Sequence, residues 1–394
     1  MRIAIKAVQI APGGGLTHLN RVIEWFGKIA PEFEFLLIGK QGQENLFIKR
    51  PPNFDYRFYS VPGLHLAAQV WWERHALPGI LRNDEADLLF EPGNRGTLKA
   101  PCPKVSLVHN IAPFDDEFST HETLYQKLRL RLLKRATLES LRATNGIIFL
   151  SEFSKSLIGR FADISRVKTI IIYHGRAENN GAADTGEVLS KYGIERPYIL
   201  NVSHLWRYKK TLEMVAAYEK ALKKKSDLPP LYIAGTNYSS AYFRDICGFI
   251  EDGGIGDRVR FLGTVPETDL PALYAGCEAF LFPSALEACP NILIEALSAG
   301  CAVASSNRGV MPEIAGGAAL YFNPDDINDF SDKIISLMVD ENLNRSLRWN
   351  AVERAAHFSW EKTARETLDF FHKVLGLQRK AKFTAKLKRE LVEV

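Results

Sequence analysis

Short apolar runs alternate with amphipathic stretches along almost the entire chain. In the first half the runs fall at residues 2–10, 34–39, 86–90, 104–108, 146–150 and 168–173. In the second half they fall at 197–203, 230–234, 259–262, 279–283, 301–304 and 319–322. Runs this short and this apolar predict strands covered on both faces, and the spacers between them are long enough for helices. Strand and helix taking turns predicts parallel sheets, so the chain reads as α/β throughout. The polar, Gly- and Asn-rich segment Arg176–Glu187 interrupts the alternation and predicts a linker. The expected organisation is a first domain over 1–178, a second over 179–359, a closing helix within 360–377, and a basic tail over 378–394.

Composition narrows the class. A chain of 394 residues can bury two full cores, and 46% hydrophobic with 24% charged residues fits a globular protein. No apolar run approaches the roughly 20 residues of a spanning helix. Met1–Lys6 reads as a strand, without a signal-peptide pattern. The five cysteines (Cys102, Cys247, Cys277, Cys289, Cys301) are scattered and form no Cys-x-x-Cys. That argues against a disulfide framework or a zinc site and for a reducing compartment, so the expected location is the cytoplasm. Charge is uneven: residues 1–180 hold 24 basic and 18 acidic residues, 181–377 hold 20 and 26, and 378–394 hold 6 and 2. A basic first half and tail suit an anionic partner.

The richest local pattern runs from Ser284 to Gly300. An apolar strand, Ala279–Pro283, leads into a loop with Glu287; Pro290 suits a helix start, Gly300 suits its end, and Cys301–Ala304 is the next strand. A helix from about Asn291 to Ala299 places Glu287 just before it and Glu295 just over one turn inside. The free N–H groups near Asn291, Ile292 and Leu293 then lie between two carboxylates. A helix N-terminus attracts phosphate, and ionised carboxylates accept from hydroxyls. The occupant that fits is a sugar–diphosphate–ribose, with Glu287 toward the sugar and Glu295 toward the ribose. Alone, the same residues also describe two surface glutamates beside an ordinary helix. Gly13–Gly15 after the first strand lets a backbone approach a phosphate, or makes a plain tight turn before a helix starting near Thr17. It is not a Gly-x-Gly-x-x-Gly fingerprint.

The Glu287–Glu295 stretch resembles the Glu-x7-Glu motif of retaining glycosyltransferases of the GT-B fold, family 4. Here Ala288-Cys289-Pro290-Asn291-Ile292 replaces the common Gly-Phe-Gly-Leu-Pro. The resemblance extends to Val259–Val265, Ser305–Ile314, Ala319–Asp325 and Phe358–Glu361, and covers the first half more weakly. It implies two Rossmann-like domains facing across a cleft, with the terminal helix crossing back to the first. It implies that Gly14 and Gly15 face the donor diphosphate, and that His109, ending the strand Val105–Val108, lies near the transferred sugar with Asn110 where aspartate is common. It matches Val202–Lys210 to a segment whose Arg and Lys neutralise the diphosphate. Lys209 falls on the lysine; His204 stands where the arginine belongs, and Arg207 is the candidate replacement. Base and ribose recognition is implied to come from the second domain, at the Gly235 and Gly263–Val265 loops, with the base read mainly through backbone groups of the latter.

The activity so implied is transfer of a hexose, mannose or glucose type, from a nucleotide-diphosphate sugar to a glycan or lipid-linked acceptor in cell-surface polysaccharide synthesis. No Asp-x-Asp metal signature is present, so neither a metal nor any cofactor is expected. Two alternatives stay open: a non-catalytic sugar-nucleotide-binding subunit, which His204 would suit, and another GT-B enzyme such as an epimerase. The Leu-rich basic stretch Tyr125–Arg135 and the tail Arg379–Arg389 suit an anionic membrane surface, though the first also reads as a solvated helix face. Nucleic acid is not expected, because no recognised module or interleaving of basic and aromatic residues is present.

Overall fold

The computed structural model describes residues 1–61, 66–115, 118, 124–176 and 184–376. The expected boundary at 178/179 and the tail 378–394 lie outside the described residues. Seven strands form the first sheet: β1 (Arg2–Lys6), β2 (Glu34–Lys40), β3 (Phe54–Tyr59), β4 (Leu88–Glu91), β5 (Lys104–Val108), β6 (Gly146–Phe149) and β7 (Lys168–Ile171). Six form the second: β8 (Ile199–Val202), β9 (Leu231–Ala234), β10 (Val259–Gly263), β11 (Ala279–Phe282), β12 (Val303–Ser306) and β13 (Ala319–Phe322). Their orders are β3-β2-β1-β4-β5-β6-β7 and β10-β9-β8-β11-β12-β13. Every pairing is parallel. Each sheet therefore has a switch point, β1/β4 in one and β8/β11 in the other, where an α/β sheet opens a ligand crevice beyond its strand ends.

The central strands are apolar runs buried on both faces, as the pattern predicts: Ile3, Ala4 and Ile5 in β1 and Phe280 and Leu281 in β11 are fully buried. Two differences from the sequence reading have local causes. β3 has no apolar run to announce it; it is an edge strand in which Asp55 and Arg57 face solvent and pair with each other. β1 ends at Lys6, so residues 7–10 belong to the crevice loop.

The chain crosses between domains twice, and the crossings lie side by side. Arg176 and Ser359 form a parallel bridge, and a side chain on Gly175 would strike the Trp360 backbone at 2.1 Å. Helix Trp360–Leu375 then returns to the first domain. Its Phe371 ring lies 5.1 Å from Phe90 and 6.2 Å from Phe26, and the Lys168 ammonium donates to the Lys373 carbonyl at 2.6 Å. This is the GT-B architecture.

Candidate active site

The walls of the cleft are built from the loops that follow the switch-point strands. On the first wall, Gly13 caps helix Gly14–Ile29 with φ +133°, a left-handed region that glycine enters without strain. The helix starts three residues earlier than expected, so Gly14 and Gly15 sit in its first turn rather than in a loop. They lie close to the groups around them: a Cβ on Gly14 would sit 3.8 Å from Asn291 Nδ2, and one on Gly15 would sit 3.9 Å from the His109 ring, both ordinary contact distances. On the second wall, Pro290 caps helix Asn291–Ser298, and Gly300 ends it at φ +71°. Neither helix has a side-chain cap. Two helix N-termini, each with unpaired N–H groups and partial positive charge, thus meet across the cleft. Asn291, Ile292 and Leu293 supply the donors on the second wall.

Beside this meeting point Lys209 and Glu287 form a close ion pair, both largely buried. Ser284 Oγ also donates to Glu287, at 2.9 Å. The two loops are tied by the Ala285 N–H donating to the Tyr208 carbonyl at 2.8 Å, which fixes the register of lysine against carboxylate. Burial works against the Lys209 charge, but Glu287 outweighs it and holds the ammonium above its ordinary pKa. Lys210 next to it takes a left-handed turn (φ 55°) and pairs with Asp325, starting the next helix.

Arg207 lies on the same short turn but is engaged elsewhere. Its guanidinium donates to Asp245 at 2.6 Å and lies 5.0 Å from the Tyr242 ring centre. The structure therefore brings Lys209 to Glu287 and directs Arg207 to the helix Ser240–Asp252. His204 is turned toward the Gly235 loop: its Nδ1 accepts from the Thr236 N–H at 3.3 Å, and its ring meets Tyr238. Burial, then the nearby Lys209, lowers its pKa.

Gly235 and Gly263 form the floor beyond. The Gly235 N–H donates to the Gly263 carbonyl at 2.8 Å, and the Thr236 and Thr264 hydroxyls meet at 2.9 Å. Gly235 needs φ +154° and has the Ser203 carbonyl so close that a Cβ would sit 1.8 Å from it. Val265 follows, partly buried against the core. Glu295 is set behind the helix start, where Tyr274 donates to it at 3.1 Å. Burial raises its pKa to about 7, partly opposed by that hydrogen bond; Glu267 adds to the rise, and Arg21 of the first domain opposes it.

His109 follows β5, and its backbone N–H donates to Asn94 Oδ1 at 3.0 Å; the Asn110 N–H does the same at 2.7 Å. Asn110's own side chain accepts from the Ala112 N–H at 2.9 Å, so it shapes the turn. Burial, with His174 nearby, lowers the His109 pKa to about 3 and keeps the imidazole neutral.

Sequence reasoning passed over several groups here. Asn94 positions the His109 loop. Glu313, from the short helix Met311–Ala315, crosses to the first domain and accepts from the N–H groups of Glu152 (2.6 Å) and Phe153 (2.9 Å) and from the Tyr173 hydroxyl (2.8 Å). Ser151 Oγ donates to the Ala288 carbonyl at 2.7 Å, within the Glu287 loop. His18 and His174 are buried against His109. No local pattern marks these residues, because each acts on a partner at least 15 positions away.

Residues 187–354 match the sequence model of the family described as glycosyl transferases group 1. The match lies within the second domain. The chain is 27% identical over 271 residues to O-antigen chain mannosyltransferase B of Escherichia coli, covering 68% of this chain and 69% of that protein. It is 25% identical over 237 residues to the serotype-specific mannosyltransferase WbdA of E. coli, spanning 29% of that longer protein. Among solved structures, Anabaena HepE in complex with UDP and glucose superposes with a TM-score of 0.75 over 95% of this chain and all of that one, at 17% identity. Sucrose-phosphate synthase from Thermosynechococcus elongatus also reaches 0.75 over 95% of this chain and 99% of that one, at 17% identity. The chain thus shares the fold of both solved structures.

Proposed function

We propose that the protein is a retaining hexosyltransferase that takes a hexose, of mannose or glucose type, from a nucleotide-diphosphate sugar. The observation that carries this is the pair of uncapped helix N-termini facing across the cleft with the Lys209–Glu287 pair beside them. The diphosphate sits between the N–H groups of Gly14–Gly15 and those of Asn291–Leu293. Lys209 turns from Glu287 to phosphate as the donor enters, and frees Glu287 for the sugar's hydroxyls. Glu295 accepts from the ribose, and the Gly235 and Gly263–Val265 loops border the base.

The acceptor hydroxyl attacks the anomeric carbon from the face the phosphate leaves, and the bond from that carbon to the phosphate oxygen breaks. The departing phosphate oxygen takes the hydroxyl proton. The positive N-termini and Lys209 stabilise the charge growing on it, an effect worth about 3–4 kcal/mol for one well-placed donor. Glu287 faces the cationic sugar centre. His109, neutral, is able to hydrogen-bond to the sugar. The reaction needs no divalent metal, since protein groups supply the positive charge.

The relatives' names favour mannose and a glycan acceptor in surface polysaccharide synthesis. Membrane contact is part of the proposal. Helix Leu124–Arg142 leaves Leu124, Tyr125, Leu128 and Leu132 exposed, on a helix that also carries Lys127, Arg129, Arg131 and Arg135. Among the described residues no helix is long and apolar enough to cross a membrane. This surface therefore suits lying on anionic lipid at the cytoplasmic face.

The test is transfer by the purified protein from a panel of nucleotide sugars, with the anomeric configuration of the product read by NMR. Retention of configuration, lost together with turnover in Glu287→Ala, is expected. Inversion, or full activity in that variant, would sink the assignment.

A further inference from the structure

Behind the glycine-rich helix start, three histidines from three separate segments share one buried pocket. His18 comes from helix Gly14–Ile29, His109 from the loop after β5, and His174 from the loop after β7. Their ring centres lie 5.0, 5.1 and 5.6 Å apart, with Trp360 closing one side at 5.6 Å from both His18 and His174. One nitrogen of each lies within 4.8 Å of the others, and no carboxylate or thiol belongs to the group.

The hydrogen-bond account of this pocket does not close. His18 is fully buried, and neither of its ring nitrogens has a partner; His109 Nε2 is buried and unpartnered as well. An orphaned buried polar group costs about 1–3 kcal/mol, so several in contact call for something that satisfies them together. A ring nitrogen facing two others cannot be satisfied by them when all three present lone pairs. A cation can accept all three.

We infer that His18, His109 and His174 form a binding site for a late first-row divalent ion of the zinc class. Neutral imidazole nitrogen is a preferred ligand for that class, and burial already keeps these rings neutral. A tetrahedral ion with bonds of about 2.0–2.1 Å needs its ligand atoms about 3.3 Å apart, which modest ring rotations supply. His174 lies by the Asn291 side chain and the Cys289 carbonyl, groups of the kind that orient a ligating ring from behind. The site uses no cysteine, which is why a thiol count says nothing about it. Because His109 is one ligand, the ion would withdraw that ring from the sugar and inhibit transfer; this second consequence rests on the function proposed above, whereas metal binding does not.

Chelator-treated protein is titrated with zinc and, separately, cobalt, then desalted and assayed for bound metal. Wild type is expected to retain one equivalent of zinc, and cobalt to give the intense visible bands of a tetrahedral nitrogen site. His18→Leu fills the pocket without a ligand, and His174→Gln keeps a polar group; each is expected to weaken zinc by at least about a hundredfold while circular dichroism stays native. No zinc retained by folded wild type, or equal retention by the folded variants, overturns the site. Zinc should slow transfer by wild type and not by His18→Leu. Binding without inhibition would leave the metal site standing and count against the role of His109.

Discussion

The two domains share a six-strand order, extended by β7 in the first, and present their switch points to each other, yet they equip those points differently. The second domain carries ionisable side chains: Lys209 against Glu287, and Glu295 behind Tyr274. The first presents bare backbone at Gly14 and Gly15 and a neutral histidine. A shared fold therefore does not divide the labour; the loop residues do. The side-chain wall can be altered one charge at a time, whereas the backbone wall is altered only by adding bulk.

That contrast can be broken at graded points. Glu287→Ala should have the largest effect, cutting kcat/KM by roughly 10²–10³ and leaving Lys209 without its partner; steady-state kinetics with the best donor checks it. Lys209→Ala should cost about 10², mostly in kcat, because its interaction strengthens as the phosphate departs. If both variants keep near-normal kcat, the charged wall is not the catalytic one.

Glu295→Gln should raise the donor Kd by about tenfold above pH 7. The wild-type dependence has a definite sign. Ribose hydroxyls donate to the ionised carboxylate, so donor affinity should fall as pH drops through about 7, while the Gln variant stays flat. Stability of the free protein should show the opposite trend. The folded pKa lies above the unfolded one, so the stability this group favours is present at low pH and lost as pH rises through about 7. At pH 8 Glu295→Gln should therefore be more stable than wild type, by on the order of 1–3 kcal/mol, and near pH 4 no different. Thermal melts without donor at both pH values decide this.

Glu313→Gln tests the seam rather than either wall. It weakens charge-assisted bonds to two backbone N–H groups and a tyrosine, and should cost about 1–2 kcal/mol of stability with little change in donor affinity. The smallest expected effect is Arg207→Ala, under about threefold in kcat/KM, because its guanidinium is held by Asp245 at an exposed pair. A loss as large as that of Lys209→Ala would show that Arg207 swings to the diphosphate during turnover.

The alternation of apolar runs made the α/β class and twelve of the thirteen strands legible, because strands buried on both faces need uninterrupted apolar residues. β3 escaped, since an edge strand is only half covered and Asp55 and Arg57 break its run. The Glu287–Glu295 spacing was readable because both residues belong to one strand–loop–helix unit, whose geometry is local. Gly14 and Gly15 were placed correctly beside the cleft but in the wrong local setting. Helix propensity argues against glycines in a first turn, and no local pattern places Gly14 and Gly15 there rather than in a loop. Arg207 was set beside Lys209 by sequence proximity. A 3-10 turn points neighbouring side chains in different directions, and Asp245 captured one of them.

By itself, then, the order of residues determined the parallel sheets, the position of each crevice loop, and the pairing of a helix start with carboxylates on either side. These follow from periodicity and short-range backbone chemistry. Only the tertiary structure decided that the uncapped helix starts of both domains face each other, and that Glu313 and Ser151 bridge the seam. It also decided that His18, His109 and His174, spread over 156 positions, meet in one pocket where neither His18 ring nitrogen nor His109 Nε2 has a hydrogen-bond partner. Those arrangements depend on how two folded bodies dock, and docking is set by surfaces that no single segment encodes.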